Sequence, residues 1–317
     1  MFMQNSLFYT SDTDLEIKIK LPEFEKQTLN NGIQIYQMPT GDVGLSNLFF
    51  LFQHGGVNDP EKMCGLAHTT AAMLTKGTKS KSAAEIDFFS DHLGMMFGAH
   101  AYKLYTTLEA EVLDEYVNSA WELFYEVLTN PVFPEGELSK HKRRKINALK
   151  KISEDPGQLV GMALLQQMFN KSYFGRPGAG TPKNIDSIQK QHVLDFYNHY
   201  FNFKSASLFL VGGISDKQLM RIENDLLKMD DKSNRIESEK PQFRNSFKLW
   251  IIDKPDATQV QVKAGWHSIP QFHKDYYPLQ MGTMMLGGGF SSRLMQEIRV
   301  KHGLSYGAYS QLQPVDK

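Results

Sequence analysis

The sequence is poor in the features that mark several large classes of proteins. Its 317 residues include one cysteine, Cys64, which excludes a disulfide framework and fits a reducing compartment. No apolar run reaches the ~18 residues that a membrane-spanning helix requires. The opening residues, 1–6, lack the basic and apolar stretches of a secretory signal. These absences predict a protein of the cytoplasm without a membrane span, with the periplasm as the alternative.

An excess of charge of one sign is missing as well. The 35 Lys and Arg residues equal the 35 Asp and Glu residues in number. Nucleic-acid binding depends on a basic surface that displaces counterions, so we expect no nucleic-acid partner. The most basic stretch, residues 135–153, keeps Ile146, Leu149 and Ile152 on one face, and we interpret it as a helix with a solvated basic surface.

What the sequence does contain is a pattern of two successive α/β-rich units. A length of 317 residues fits about two domains. We predict these domains at residues 1–235 and 245–317, with a polar, charged linker at residues 230–244. Ser82 and Glu85 form a capping box that predicts the start of a helix. The other elements predicted for the first domain are strands at residues 33–38, 45–54 and 207–211, a strand or hairpin at 97–112, and helices at 65–74, 114–128, 135–153, 158–169 and 190–201.

The second domain repeats the opening pattern of the first. The elements predicted for it are strands at residues 248–252, 259–266 and 304–311 and helices at 274–286 and 292–301. The sequence given stops at Lys317, before a closing half comparable with that of the first domain. Because half a domain cannot bury both faces of its sheet, we expect the natural unit to be longer or to be completed by another chain.

An apolar, helix-like segment at residues 65–78 contains one histidine, His68. A zinc site needs at least three protein ligands, so the segment taken alone supports no metal site. Its sequence, Gly-Leu-Ala-His-Thr-Thr-Ala-Ala-Met-Leu-Thr-Lys-Gly-Thr, nevertheless resembles the zinc segment of the pitrilysin/insulinase peptidases, which include the mitochondrial processing peptidases. In that family the segment runs G-L-A-H-x-x-E-H-M-L-x-K-G-T, an inverted zinc motif.

The resemblance implies where zinc binds in the family and which of those groups this chain lacks. Two histidines four residues apart bind zinc from one helix face, and the glutamate between them activates the zinc-bound water. Ala71 and Ala72 stand at the positions of that glutamate and of the second histidine. The third family ligand is a glutamate on a later helix, and alignment on residues 154–156 places Asn147 or Ala148 there. We therefore predict no metal site and no cofactor in this chain.

Two further segments follow the order of the same family. Residues 173–182, Tyr-Phe-Gly-Arg-Pro-Gly-Ala-Gly-Thr-Pro, resemble a family loop. Residues 97–101, Phe-Gly-Ala-His-Ala, stand where active members have F-N-A-x-T, the edge strand that pairs with the substrate backbone. The resemblance implies that Ala99 belongs to this substrate-binding strand. Gly98 replaces the family Asn, and a bulge or a bend would explain a glycine there equally well.

The most specific segment lies in the second domain, at residues 286–306. Its glycine triplet, Gly287, Gly288 and Gly289, is not followed by the Lys-Ser/Thr pair of a phosphate-binding loop. The whole segment resembles the second-domain signature of the family, which implies that the triplet contributes to substrate binding. It also implies that Arg299 holds a substrate carbonyl and that Tyr306 donates to the tetrahedral oxyanion. Spacing alone fits an ordinary helical arginine and strand tyrosine.

The resemblance implies an α+β fold of tandem homologous domains, each a mostly antiparallel sheet covered by helices, the second truncated. Some family enzymes divide their work between a zinc-bearing chain and a chain that lacks zinc. We therefore predict a zinc-less partner subunit of a heterodimeric metallopeptidase, with Arg299 and Tyr306 acting on a peptide at the zinc of a homologous partner chain. The alternative is an inert pseudo-peptidase that serves as a scaffold or peptide-binding module. An active peptidase with relocated metal ligands is a third hypothesis.

Overall fold

The computed structural model describes residues 22–40, 44–169, 172–229, 243–244, 248–255 and 257–314. The strands in these residues are β1 (Glu25–Thr28), β2 (Gln34–Met38), β3 (Leu45–Phe52), β4 (Met96–Ala101), β5 (Thr106–Leu113) and β6 (Ser207–Val211). The helices are α1 (Leu66–Leu74), α2 (Ala83–His92), α3 (Val117–Thr129), α4 (Glu135–Glu154), α5 (Pro156–Met168), α6 (Pro182–Ser187), α7 (Lys190–Tyr200), α8 (Asp216–Leu226) and α9 (Tyr276–Gly287). A π-helical segment, Met295–Lys301, follows α9.

All six strands form one sheet in the order β1-β2-β6-β3-β5-β4. Neighbouring strands are antiparallel except β2 and β6, which are parallel. A parallel pair requires a long crossover, and here the whole run of chain from β3 to α7 connects the two strands. The α+β fold class with a mostly antiparallel sheet is therefore confirmed for this region, including the predicted hairpin, which is formed by β4 and β5. Strand β1 was not predicted.

The core lies between one face of the sheet and the helices that cover it. Strand β3 alternates strictly between half-buried and fully buried residues, as a strand with one face on a core should. Its Phe50 is fully buried and lies with its ring 6.3 Å from that of Phe124 on α3. Helix α1 packs against β4 and β5 and also against α7. Burial of one such aromatic side chain contributes roughly 1.5–3 kcal/mol, so β3 and α3 hold the sheet and the helical layer together.

The second region, residues 248–314, has a different character. Its helix α9 confirms the helix predicted at residues 274–286, and the π-helical segment lies within that predicted at 292–301. The strands predicted at 248–252, 259–266 and 304–311 are wrong, because the described part of this region contains no strand. Val260 and Val262 are 89% and 84% exposed. A strand is completed only by a hydrogen-bonded neighbour, and sequence alternation does not supply one.

The linker predicted between the two domains falls mostly on residues 230–242, outside the described residues, and the domain boundary stays a prediction. On its far side, Arg244 N donates to Met168 O at 2.9 Å. The ring of Phe243 lies 3.9 Å from that of His267. The start of the second region therefore runs alongside the C-terminal end of α5. None of the helices in the described residues is both long enough and apolar enough to cross a membrane.

Candidate functional site

Helix α1 carries the residues that align with the family zinc motif, and a buried carboxylate fixes where it begins. Asp59 Oδ2 accepts a hydrogen bond from Gly65 N at 2.6 Å, and Oδ1 accepts one from Ala67 N at 2.7 Å. These bonds satisfy amides that lack helical partners. Burial raises the pKa of Asp59 to about 7, although the same N–H groups and Arg176 act to lower it. Asp59 was not predicted as the anchor of this helix.

Gly65 precedes α1 in the left-handed region, with φ +95°. A Cβ atom at this position would lie 2.7 Å from Ile185 Cδ1 and 2.9 Å from Ala179 O. Both the backbone conformation and the close approach therefore require glycine. This requirement explains the Gly-Leu-Ala-His beginning of the segment without any reference to a metal.

His68 and Ala72 lie one turn apart on α1, and both are half-buried, whereas Ala71 is fully buried. Burial and, to a smaller extent, the charge of Lys145 lower the pKa of His68 to about 4. His68 Nδ1 is buried without a hydrogen-bond partner in the described residues. The structure thus preserves the helix face of the motif, but it presents one imidazole and two methyl groups there.

Helix α4 packs against α1 and was expected to carry the third ligand position. Asn147 and Ala148 are both exposed on α4. The residue of α4 that acts on His68 is Lys145, which is half-buried and whose pKa is lowered by burial. The interpretation of this helix as a solvated basic surface is therefore wrong for Lys145. It is also wrong for Lys142, whose Nζ donates to Ile188 O at 3.0 Å.

A sequence signal for the inward face of α4 did exist. Leu138, His141, Lys145 and Leu149 recur at steps of three and four residues, the spacing of one helix face. Leu138 and Leu149 are buried, and His141 and Lys145 are half-buried between them. The apolar face predicted from Ile146, Leu149 and Ile152 shares only Leu149 with this set, so His141 and Lys145 were missed.

The residues around His68 do not fit a zinc ion. The described part of the chain contains no group of three or more His, Cys, Asp or Glu side chains that could hold a metal. A zinc site requires three or four such ligands. At the position of the family motif, His68 is joined by two alanines, and the nearby Lys145 carries a positive charge that opposes a cation. The site does not fit zinc because the ligand side chains are missing, although the helix that would carry them is present.

Strand β4, which contains Ala99, lies at one edge of the sheet. Ala99 pairs with Leu108 of β5 and is buried, and Gly98 pairs with Glu109 in a continuous register. The sequence-based explanation of Gly98 as a bulge is therefore wrong. The prediction of an edge strand is confirmed, and the substrate-binding role of Ala99 stays a prediction.

The glycine triplet lies at the end of α9. Gly287 O accepts a hydrogen bond from Ser310 N at 3.1 Å, and Ser310 Oγ donates to Thr283 O at 2.7 Å. A Cβ atom on Gly287 would collide with the backbone of Ser310. Close packing of two chain segments is thus sufficient to explain Gly287, whereas Gly289 has open space around it. Substrate binding by Gly287, Gly288 and Gly289 stays a prediction.

Arg299 and Tyr306 both lie on the exposed surface of the second region. Arg299 belongs to the π-helical segment, and its guanidinium lies 5.2 Å from the ring centroid of Phe290. Tyr306 is 85% exposed. Neither residue forms a hydrogen bond to the other or to α1 in the described residues. The described residues therefore do not bring Arg299 and Tyr306 together with the altered motif on α1, and the roles of both residues stay predictions.

Two family models match the sequence. The model of the "Insulinase (Peptidase family M16)" matches residues 43–182, and that of the "Peptidase M16 inactive domain" matches residues 187–316. Together they cover most of the chain. The first match includes the altered zinc motif, and the second includes the segment with Arg299 and Tyr306.

Individual relatives agree with these matches. The chain is 27% identical over 286 residues to the "Uncharacterized zinc protease YmxG" of Bacillus subtilis, covering 90% of this chain and 69% of the relative. It is 26% identical to the "Non-peptidase homolog YmxG" of Helicobacter pylori, over 86% of this chain and 62% of the relative. Its fold is similar to the crystal structure of a peptidase M16 inactive domain from Pseudomonas fluorescens, with TM-score 0.76, 24% identity, and coverage of 92% and 71% of the two chains.

Proposed function

Because the chain belongs to the insulinase family of M16 peptidases, we propose that it is the zinc-less partner subunit of a two-chain metallopeptidase. It is a catalytically inactive member of the family when considered alone. The zinc and the general base are supplied by a homologous chain with an intact motif. The substrate is a peptide or an unfolded polypeptide, held in an extended form beside the edge strand β4. The cytoplasm is the proposed location.

The observation that carries the proposal is an asymmetry between the two motifs. Residues 65–78 keep the helix, its anchor and its glycine, yet they have lost the glutamate and the second histidine. Residues 286–306 keep both the arginine and the tyrosine. A chain that served only as a scaffold would have no chemical need for an oxyanion donor. Retention of one motif without the other is what a division of labour between two chains predicts.

The proposed chemistry assigns different work to the two retained side chains. The Arg299 guanidinium presents several fixed N–H donors and binds the carbonyl of the peptide. The Tyr306 hydroxyl donates a hydrogen bond to the oxygen that becomes negative in the tetrahedral intermediate. Loss of one such donor typically costs about 10²–10³-fold in kcat. Because both side chains are exposed in this chain, they are accessible to a peptide held between two subunits.

The test is Tyr306→Phe in the complex of this chain with its zinc-bearing partner, recovered from native cells. We expect kcat for peptide hydrolysis to fall by about 10²–10³-fold while the complex still assembles. The matched control is Tyr309→Phe, because Tyr309 is 70% exposed and lies three residues away. Unchanged turnover in Tyr306→Phe, or an equal loss in the control, would refute the catalytic role.

The second candidate is an inert M16 homologue that acts as a scaffold or peptide-binding module. It is favoured by the names of similar proteins, one a "Non-peptidase homolog" and another an "inactive domain". Recovery of this chain from cells without any zinc-bearing homologue would support it. A purified chain that retained one zinc per molecule would instead favour relocated metal ligands, which the donor set around His68 argues against.

A further inference from the structure

Gly98, in the middle of the edge strand β4, is a glycine that the fold does not require. Its backbone does not lie in the left-handed region, and it pairs with Glu109 in an uninterrupted register, so neither a turn nor a bulge accounts for it. The atom nearest to an added Cβ would be His100 Nε2, at 3.1 Å. His100 is exposed, so its ring can turn aside. A glycine inside a strand otherwise marks a place that a ligand or another backbone approaches closely.

The alternation of side chains along β4 determines what surrounds Gly98. Ala99 and Ala101 are buried and belong to the face that packs against the core. Since successive side chains point to opposite faces of a strand, Met96, Gly98 and His100 lie on the outer face. Met96 is 71% exposed, and His100 is exposed as well. Gly98 therefore forms a gap between two exposed side chains, on a strand that ends the sheet.

Glu109 of β5 stands at the inner end of this gap. It lies directly opposite Gly98 on the same outer face, and opposite residues of antiparallel strands are about 4.5–5.5 Å apart. On its other side Glu109 pairs with Phe49 of β3. Thr107 Oγ1 donates to Glu109 Oε1 at 2.6 Å, which orients the carboxylate. Because Gly98 has no side chain, a group from beyond the edge reaches Glu109 once the ring of His100 turns aside.

The charges at this edge of the sheet determine which side chain fits the gap. Glu109 and Glu111 are both half-buried on the outer face of β5, and neither forms an ion pair with another described residue. A carboxylate in such a position is stabilised by a cationic group that reaches it. A peptide strand added beside β4 would lie two strand spacings, about 10 Å, from β5, a distance that two long side chains span together. We propose that Gly98 and Glu109 form a subsite for a lysine or arginine side chain of a peptide bound beside β4.

This inference names the class of peptide that the proposed function leaves open, and it rests on one part of that function, the binding of an extended peptide beside β4. It does not depend on the zinc-bearing partner, because both residues belong to this chain. In strand addition the main-chain hydrogen bonds provide affinity, and pockets for alternate side chains provide specificity. The apolar stem of the basic side chain lies between Met96 and His100, and its charged end meets Glu109.

The test measures the binding of fluorescein-labelled peptides to the full 317-residue chain by fluorescence anisotropy. The probes are ten-residue peptides of Thr, Ser and Val in which one position at a time is Lys, Glu or norleucine, which keeps an apolar stem without the charge. We expect one position at which Lys binds about tenfold more tightly than norleucine and Glu binds more weakly than either. In Glu109→Gln the Lys peptide should bind no better than the norleucine peptide. Glu109→Lys should reverse the preference and favour the Glu peptide.

Glu111→Gln is the matched control, because Glu111 lies on the same face of β5 but pairs with Met96 instead of Gly98. It should keep the preference for Lys, whereas Gly98→Val, which fills the gap, should lose it. A preference that persists in Glu109→Gln, or a wild-type chain without a preference at any position, would overturn the proposal. Hydrolysis of the same peptides by the two-chain complex tests the proposed function separately. A complex that hydrolyses none of them, while this chain still prefers Lys, would contradict the catalytic partnership and leave the subsite in place.

Discussion

The two regions of this molecule have similar sequence patterns but very different environments. In residues 22–229 the apolar positions of the strands face a helical layer and are buried, as in β3. In residues 248–314 the corresponding apolar positions are exposed, including Leu249 and Ile251. The comparison shows that alternation of apolar residues makes a segment suitable for a β-sheet. The segment becomes a strand only when neighbouring strands form hydrogen bonds with it.

The largest difference in unfolding free energy is expected between substitutions of apolar residues in the two regions. Phe50→Ala should lower the free energy of unfolding by about 3–5 kcal/mol, because it leaves a cavity in the core between β3 and α3. Ile251→Ala should change it by no more than about 0.5 kcal/mol, because that side chain is 86% exposed. Urea unfolding of each variant measures both values. A comparable loss in the two variants would mean that Ile251 is buried in solution.

A second contrast concerns carboxylates that bind lysine. Glu126 lies on α3 and accepts hydrogen bonds from Thr78 Oγ1 at 2.6 Å and Lys81 Nζ at 2.7 Å. Burial acts to raise the pKa of Glu126, but hydrogen bonds from Lys81, Ser80 and Thr78 lower this pKa to about 2. The pKa is thus depressed in the folded state. Its stabilising contribution is complete above the ordinary value near 4.5 and is lost as the pH falls toward 2.

Glu126→Gln should therefore cost about 1–3 kcal/mol of unfolding free energy at pH 7, and less as the pH approaches 2. Glu297 in the second region accepts a hydrogen bond from Lys301 Nζ at 2.7 Å, but the pair is exposed. Glu297→Gln should have no measurable effect at either pH, because solvent screens exposed ion pairs. Unfolding free energies measured between pH 3 and pH 7 compare the two. A loss for Glu126→Gln that does not vary with pH would contradict the assignment.

The smallest difference in stability is expected between substitutions at the N-terminal ends of two helices, α2 and α9. Ser82 Oγ accepts a hydrogen bond from Glu85 N at 3.3 Å, and Glu85 Oε2 accepts one from Ser82 N at 2.7 Å, which forms a capping box for α2. Asp275 stands at the equivalent position of α9 without a side-chain cap. Ser82→Ala should cost about 1 kcal/mol, whereas Asp275→Ala should cost none that thermal unfolding detects. An equal decrease of Tm in the two variants would show that the side-chain cap of Ser82 does not stabilise α2 more than Asp275 stabilises α9.

Much of the first region was predictable because its signals are local. The capping box at Ser82 and the helix predicted at residues 114–128 each depend on residues a few positions apart, and both agree with the structure. The same holds for the edge hairpin of β4 and β5. The loss of the zinc motif was equally evident from Ala71 and Ala72, since no fold restores a ligand to a methyl group.

Other features depended on contacts between distant parts of the chain. The role of Asp59 was not predicted, because it requires the backbone amides of Gly65 and Ala67 to converge on the carboxylate. Gly287 was assigned to substrate binding, although the nearby backbone of Ser310 already explains it. Lys145 was counted as a surface charge, because nothing local shows that α4 turns it toward His68. In each case the missing information was which surface the side chain meets.

The sequence by itself determined the family, the α+β pattern and the loss of the motif glutamate and second histidine at Ala71 and Ala72, because these depend on residue identity and short spacing. Only the tertiary structure decided which apolar segments became strands, since that depends on partners in the sheet. It alone also packed α4, with His141 and Lys145 half-buried, against α1, which carries His68. Burial and the proximity of distant residues change the chemistry of a side chain, and neither is encoded in its immediate neighbours.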